Sequence, residues 1–235
     1  MLDPDPKVMR TYSSYEDTRL LPDGSNISAA VFELKQDAPE AFGRLEELVR
    51  TVTGGCVTGL DFVETEIGDV QLLLHETVGT ELAAIPARLA SDGTLRMLAF
   101  ATAILTTPYR EGHEGPERLI VIEEVERGLY PAQARTLLEL MERELEARAA
   151  SVLLTTHSPT LLEALDPKRH ADVIVCSRTS DSGRSRLDRL TDLPGYAELI
   201  AAGGLGEAVI GNGLEQARGE RPKNAREFFN FLETM

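Results

Sequence analysis

The first part of the chain carries a helical and then a β-type hydrophobic pattern. Apolar residues at helical spacing follow a turn at 22–26, and they are Ile27, Ala30, Val31 and Leu34. A second helix is predicted next, with Asp37 as its N-cap and Pro39 in its first turn. Alternating, β-branched residues then predict strands at 57–66 and 70–74, paired through a turn at 67–69. Residues 1–23 show no clear period, so we expect them to be irregular.

After Leu89 the pattern alternates between helices and short apolar strands. Helices are predicted at 95–105, from Pro131 and from Pro159, and strands at 119–122, 152–154 and 173–175. The all-apolar run at 119–122 is typical of a strand covered on both faces. An edge strand at 184–190 and a terminal helix at 222–232 complete the pattern.

This alternation predicts an α/β fold with a mostly parallel, doubly wound sheet and flanking helices. By pattern and motif content the chain divides into three segments. These are a small helical and β N-terminal part at 1–89, an α/β core at 90–215 and a C-terminal helix or tail at 216–235.

Composition narrows the function classes. The chain has 235 residues, with 24 Lys and Arg against 39 Asp and Glu, and a net charge of −15. Such a surface repels a phosphate backbone, so nucleic acid is expected only through a partner or a local patch. Cys56 and Cys176 have no metal-ligand spacing, which favours a reducing compartment. The apolar stretches are too short to span a bilayer, and we therefore expect a cytoplasmic protein without a membrane partner.

Two predicted strands end in residues that suit phosphoryl transfer. Glu123 and Glu124 follow the strand at 119–122, and His157 follows the strand at 152–154. Open α/β sheets bind ligands at the carboxyl ends of their strands. There one carboxylate can hold Mg²⁺, the next can orient an attacking water, and an imidazole can contact a γ-phosphate oxygen. The alternatives are a solvated acidic turn and an ordinary loop histidine.

A third motif precedes the apolar helix. Ser91, Gly93 and Thr94 form a Ser-Asp-Gly-Thr turn that offers backbone N–H groups, a hydroxyl and the positive end of a helix dipole. Those groups suit a phosphate. Taken alone, the turn is more typical of an ordinary helix cap than of a phosphate site.

In their order along the chain, these motifs resemble the ATP-binding-cassette class of P-loop ATPases, specifically the SMC/RecF-like AAA-type ATPases related to the OLD-family core. The resemblance covers roughly residues 20–215. Residues 91–94 look like the signature loop, residues 122–124 like Walker B, residues 128–131 like the D-loop and His157 like the switch histidine. Where that family usually has Pro, Asn and His, this chain has Val125, Arg127 and Tyr130.

The resemblance implies residue roles as well as a fold. Glu123 would be at the metal position for Mg²⁺, Glu124 would be the catalytic carboxylate, and His157 would sense the γ-phosphate of ATP. Residues Ser91, Gly93 and Thr94 would contact ATP held by the opposite subunit. The implied protein is an ATP-binding and ATP-hydrolysing lobe that works across a dimer.

One expected motif is missing from the sequence. No G-x-x-x-x-G-K-[ST] occurs, and the four lysines, at 7, 35, 168 and 223, do not follow a glycine-rich loop. The chain therefore looks like the C-terminal lobe alone, and we expect it to be inactive or weak in isolation. It would act as a homodimer or with a partner chain that supplies Walker A.

Two other hypotheses remain open. A non-catalytic dimerisation or regulatory module would keep the fold without the phosphate loop. A two-metal nuclease would use Glu123, Glu124 and Glu126 as metal ligands.

Overall fold

A computed structural model describes residues 1–112, 114, 117–178, 183–211 and 213–217. The chain divides into two compact units, Met1–His157 and Ser158–Met235, and each is described by itself. The segments predicted at 1–89, 90–215 and 216–235 follow motif content and stay a prediction.

The first unit contains helices and strands in alternation. Its helices are α1 (Pro6–Met9), α2 (Ile27–Asp37), α3 (Pro39–Val52), α4 (Asp92–Leu105) and α5 (Pro131–Glu146). Its strands are β1 (Ser13–Ser14), β2 (Val57–Glu64), β3 (Asp69–Val78), β4 (Glu81–Pro86), β5 (Arg118–Ile122) and β6 (Ala150–Leu154). The predicted α/β class and all the predicted strands and helices before His157 are confirmed.

An antiparallel sheet forms the first layer. Strand β3 pairs with β2 on one side and with β1 and β4 on the other. The β2–β3 hairpin turns at Gly68, whose φ of 88° suits glycine, and Glu64 lies opposite Val70. The predicted pairing through this turn is confirmed, whereas β4 gave no signal in the sequence.

The junction between α2 and α3 corrects one prediction. Asp37 is the last residue of α2, and Ala38 is the N-cap of α3, so the expected cap at Asp37 is wrong. The residue before a proline is pushed out of the helical region, and Ala38 precedes Pro39. The helix therefore breaks one residue later than the capping preference of Asp suggests.

The N-terminal residues also differ from their prediction. They were expected to be irregular, yet they contain α1 and β1, and the N–H of Leu2 donates to Val121 O at 2.7 Å. The side chain of Asn26 fixes this segment because it donates to the carbonyls of Asp17 and Arg19 and accepts from the N–H of Leu21. Such contacts between distant residues leave no periodic pattern in the sequence.

The second layer is a parallel pair, β5 and β6, connected by α5. The strands run in register from Arg118 opposite Ala150 to Ile122 opposite Leu154, and Leu2 adds a parallel bridge to Ile122. Helix α4, which is buried along most of its length, contacts β5, α3 and α5. This arrangement is the predicted parallel sheet with a helical crossover.

One face of this pair is bare, which corrects the expectation that the strand at 119–122 is covered on both sides. Ile120 and Ile122 are buried, but Leu119 is 62% exposed and Leu153 is 55% exposed. Side chains alternate between faces along a strand, so both leucines lie on the face opposite Ile120. Among the residues that the structure describes, no helix covers that face.

The second unit has a small core of its own. Its elements are α6 (Pro159–Glu163), β7 (Ile174–Arg178), β8 (Ser185–Arg189), α7 (Tyr196–Ala202), α8 (Leu205–Ile210) and α9 (Gly213–Ala217). Its buried residues are Leu190, Leu193, Leu199, Leu205, Ala208 and Ala217. The strand predicted at 173–175 is β7, which pairs antiparallel with β8, the predicted edge strand. The helix predicted at 222–232 lies outside the described residues.

Cys56 and Cys176 are exposed and form no disulfide. None of the helices in the described part of the chain combines the length and the apolar character needed to cross a bilayer.

A buried arginine closes the carboxyl end of α4. The Arg148 guanidinium donates to the carbonyls of Leu105 at 2.9 Å and Thr107 at 2.6 Å, and it pairs with Glu144 at 3.2 Å. It also lies over the Tyr109 ring. These carbonyls have no partner within the helix, so the arginine satisfies groups that would otherwise be buried unpaired.

We predict that Arg148→Met lowers the free energy of unfolding by about 3 kcal/mol, because it leaves the Glu144 carboxylate and two carbonyls without their donor. Urea denaturation measures the change. The matched control is Arg143→Met on the exposed face of α5, which should change stability by less than about 0.5 kcal/mol. Equal effects of the two substitutions would contradict this role for Arg148.

Candidate functional site

The acidic turn, residues 123–129, follows β5 directly. Glu123 and Glu124 are exposed at the carboxyl end of the strand, where the sequence placed them. Glu124 has a φ of 46° and is the single non-glycine residue with a positive φ in the described part of the chain. That conformation costs roughly 1–3 kcal/mol and persists only where the surroundings enforce it. The surroundings of Glu124 therefore hold its backbone in this conformation.

Thr155, at the tip of β6, supplies the contacts that hold Glu124. The N–H of Thr155 donates to Ile122 O at 3.0 Å and continues the parallel ladder. Its Oγ1 accepts from the N–H of Glu124 at 3.1 Å, and its carbonyl accepts from the N–H of Val125 at 3.4 Å. The backbone of the acidic turn is therefore fixed by the neighbouring strand.

His157 is joined to the same turn by a second contact. It is exposed, and its backbone N–H donates to Glu126 Oε1 at 2.8 Å. Glu124 and His157 thus follow adjacent parallel strands at the same end of the sheet, and the backbone N–H of each donates to a side chain of the other segment. The structure brings these two predicted site residues together, while their roles stay predictions.

Ser91 caps α4 as an ordinary N-cap residue does. Its Oγ accepts from the N–H of Thr94 at 3.1 Å and lies 2.8 Å from Thr94 Oγ1. Arg10 holds the loop from outside, donating to Ala90 O at 2.8 Å and to Asp92 at 2.7 Å. The cap loop, residues 90–94, is thus ordered by contacts within the chain.

A glycine pair brings the cap loop to the acidic turn. Gly93 is buried, and a Cβ on it would overlap the carbonyl oxygen of Gly128. Gly128 has a φ of 81°, and a Cβ there would lie 3.1 Å from Gly93 N. The two backbones approach this closely only because both residues lack a side chain. The third predicted motif therefore packs against the turn that carries Glu123 and Glu124.

Basic groups lie around the acidic turn. Arg127 Nε is 4.0 Å from Glu124 Oε2, and both side chains are half exposed, so the pair contributes little stability. Arg96 is buried, and its NH1 is 4.0 Å from Asp3 Oδ1. Burial lowers the pKa of Arg96 from its usual value, and nearby Arg127 lowers it further. These cations offset part of the acidic charge beside the strand ends.

Sequence reasoning missed the contacts that several residues make around this candidate site. Thr155 and Glu126 hold the site residues, and Arg10, Arg96 and Arg127 set its charge. A hydroxyl residue directly after a buried strand was the available signal for Thr155. Arg10 and Arg96 contact residues that are distant along the chain, so no local pattern indicates them, whereas Arg127 lies three residues after Glu124.

The donor set fits a hard cation bound together with a phosphate ligand. Glu123 and Glu124 present exposed carboxylate oxygens, which are the ligands that Mg²⁺ takes alongside substrate phosphates. The part of the chain that is described contains no group of three His, Cys, Asp or Glu side chains arranged to hold a metal.

Residues 11–163 match the family AAA_21, described as "AAA domain, putative AbiEii toxin, Type IV TA system". The match covers more than half of the chain, and the chain belongs to this family. No match is found among curated proteins.

Solved structures of SMC heads are similar at low score. One, from a study of ATP-driven dimerization and DNA-stimulated activation of SMC ATPases, is 11% identical over 67% of this chain and 88% of that chain, with a TM-score of 0.44. A Smc head with a coiled coil and joint from Pyrococcus yayanosii is 14% identical. The match covers 73% of this chain and 32% of that chain, with a TM-score of 0.44. A Smc head bound to the C-winged helix domain of ScpA is 12% identical. The match covers 74% of this chain and 52% of that chain, with a TM-score of 0.45. This chain therefore spans about a third of the length of the Pyrococcus yayanosii head and about half of the length of the ScpA-bound head. The family assignment rests on the family match alone.

We predict that Gly93→Ala lowers the melting temperature by roughly 5 °C, because the new methyl group collides with backbone at Gly128. Differential scanning fluorimetry measures the shift. Gly43→Ala is the matched control: Gly43 lies in α3 with open space where a Cβ would be. It should leave the melting temperature unchanged or raise it by roughly 2 °C. A neutral Gly93→Ala would show that the two loops do not pack as described.

Proposed function

We propose that this chain is one lobe of an ATP-binding and ATP-hydrolysing site that is completed across a dimer. The observation that carries the proposal is the strained Glu124, tied through Thr155 and Glu126 to the strand tip that ends in His157. Membership of an AAA-domain family supports a nucleotide as the ligand.

Each residue has a defined task in this mechanism. Glu124 accepts a hydrogen bond from the attacking water and polarises it, and its fixed backbone keeps the carboxylate in one place. Glu123 would hold Mg²⁺, and the ion would supply positive charge that offsets the negative charge of the triphosphate. His157 donates a hydrogen bond to a γ-phosphate oxygen and so reports whether that phosphate is present.

The cap loop serves the opposite subunit. Ser91, Gly93 and Thr94 lie at the N-terminus of α4, where the helix dipole and the first-turn N–H groups favour a phosphate. Because Gly93 packs on Gly128, a phosphate bound at this loop is linked mechanically to the acidic turn. ATP then joins two protomers, and hydrolysis releases them.

The phosphate loop comes from another lobe. The sequence lacks the motif, and β6 pairs only with β5 in the part of the molecule that is described. The ladder uses the carbonyl of Ala149 and the N–H of Thr155, so the backbone groups of Val152 and Leu154 point away from β5. An added parallel strand would take up these groups, and its carboxyl end would lie beside Thr155.

The bare face supports the same conclusion. A parallel sheet is normally covered on both sides, yet Leu119 and Leu153 are exposed. A helix that follows the added strand would cover them. In this proposal the P-loop lobe is supplied by a partner chain.

A second function is favoured by one specific observation. None of the lysines follows a glycine-rich loop, and a P-loop lysine supplies much of the contact with the β- and γ-phosphates. A non-catalytic dimerisation or regulatory module with this fold is therefore the alternative. It predicts association that does not depend on ATP.

The test uses the full chain, co-expressed with a P-loop-bearing N-terminal lobe of the same family. We predict that Glu124→Gln lowers ATP turnover at least ~100-fold, because the amide cannot polarise the water. Mg-ATP should still drive association, measured by light scattering with and without the nucleotide. The chain alone should turn over ATP weakly or not at all.

Glu66→Gln is the matched control, since Glu66 is exposed in the turn of the β2–β3 hairpin. It should leave turnover unchanged. Unchanged turnover in Glu124→Gln would contradict the catalytic role, and association independent of Mg-ATP would favour the regulatory module.

A further inference from the structure

Among the glutamates of the acidic turn, Glu126 is the one whose side chain is hydrogen-bonded to His157. Its Oε1 accepts the backbone N–H of His157 at 2.8 Å. Its other oxygen, Oε2, is buried and has no hydrogen-bond partner. Leaving the second oxygen without a partner costs free energy. The hydrogen bond from the His157 N–H is therefore the one contact that offsets the burial of this carboxylate.

The backbone of Glu126 is also anchored. Its carbonyl accepts from the N–H of Leu129 at 3.0 Å, within a turn that is closed again by the N–H of Arg127 on Glu124 O at 2.8 Å. The side chain therefore extends from a fixed point of the acidic turn. A carboxylate accepting an N–H makes a charge-assisted bond, stronger than one between neutral groups. Any displacement of the turn is passed to the backbone at His157.

A second contact joins the segment that contains His157 to the acidic turn. Thr155, two residues before His157, holds the N–H of Glu124 through its hydroxyl. The segment 155–157 is consequently bonded to the acidic turn on both sides of the strained residue. Glu124 and His157 are connected by backbone contacts, whatever the rotamers of their side chains.

We propose that Glu126 is a positioning residue for the switch histidine: its carboxylate fixes the backbone of His157 to the acidic turn, so that His157 and Glu124 move as one unit. This inference rests on the proposed function. It assigns Glu126 no contact with the nucleotide, and the residue acts only through His157. Its carboxylate serves as a hydrogen-bond acceptor, a role that an amide oxygen can also fill.

The contact itself is tested on the isolated full chain by nuclear magnetic resonance, with no turnover required. Selective ¹⁵N-histidine labelling gives four amide signals, one for each histidine, and His157→Ala assigns the relevant one. In Glu126→Ala the His157 amide proton should shift upfield and exchange at least ~10-fold faster. Glu126→Gln should keep most of the shift, because its amide oxygen still accepts the N–H.

The control for this measurement is Glu139→Ala, on the exposed side of α5, which should leave the His157 signal in place. An unchanged His157 amide in Glu126→Ala would overturn the proposal, whether or not the protein hydrolyses ATP. Circular dichroism of each variant checks that the fold persists. If the alanine variant unfolds, loss of the His157 amide shift in a folded Glu126→Gln variant would overturn the proposed acceptor role.

The functional consequence is tested in the complex with a P-loop-bearing lobe. Glu126→Ala should lower kcat ~10-fold with little change in the KM for ATP, while Glu126→Gln stays within about 3-fold of the parent. Because Glu126 acts only through His157, adding Glu126→Ala to His157→Ala should cause no further loss. Equal loss in the Gln and Ala variants, or additive loss in the double variant, would show that the carboxylate acts directly.

Discussion

The hydrogen bonds between the acidic turn and the tip of β6 are the constraint on which the site depends. Thr155 bonds the backbone at Glu124 and Val125, and Glu126 bonds the backbone at His157. These contacts hold Glu124 in a conformation that a glutamate does not adopt freely. They also make the ends of two parallel strands into a single rigid element. In the proposed function, this element would let the carboxylate of Glu124 and the imidazole of His157 respond to each other.

The glycine pair extends this rigid element to the start of α4. Gly93 and Gly128 touch through their backbones, so the cap loop and the acidic turn have no room to shift independently. Arg10 fixes the cap loop from its other side. Three motifs that lie far apart in the sequence are therefore one structural unit, at the edge of a sheet whose outer strand and outer face are both open.

Much of the fold was predictable from the sequence, because apolar periodicity follows from which side of each element is buried. The helices, the hairpin turn at Gly68 and the parallel pair all carried that signal. The exposure of Leu119 and Leu153 was not predictable. An apolar run indicates that a strand can pack against other apolar residues on both faces, but it does not show whether those residues are present. The cap at Asp37 failed because the proline at 39 set the helix break.

The site was predictable to the level of its motifs. Polar residues after buried strands located Glu123, Glu124 and His157, and a Ser-x-Gly turn located the cap loop. The groups that hold them were not predictable, because Glu126, Thr155 and Arg10 act on residues that are distant along the chain. The contact of Gly93 with Gly128 depends in the same way on tertiary packing. The spacing of residues along the sequence does not predict which distant residues come into contact.

Amide hydrogen exchange with and without Mg-ATP, in the complex with a P-loop-bearing lobe, tests the central claim most directly. The account predicts that nucleotide slows exchange together in residues 123–129 and 155–157, because the two strand tips form one nucleotide-binding element. Protection of only one of these segments, or of neither, would contradict it.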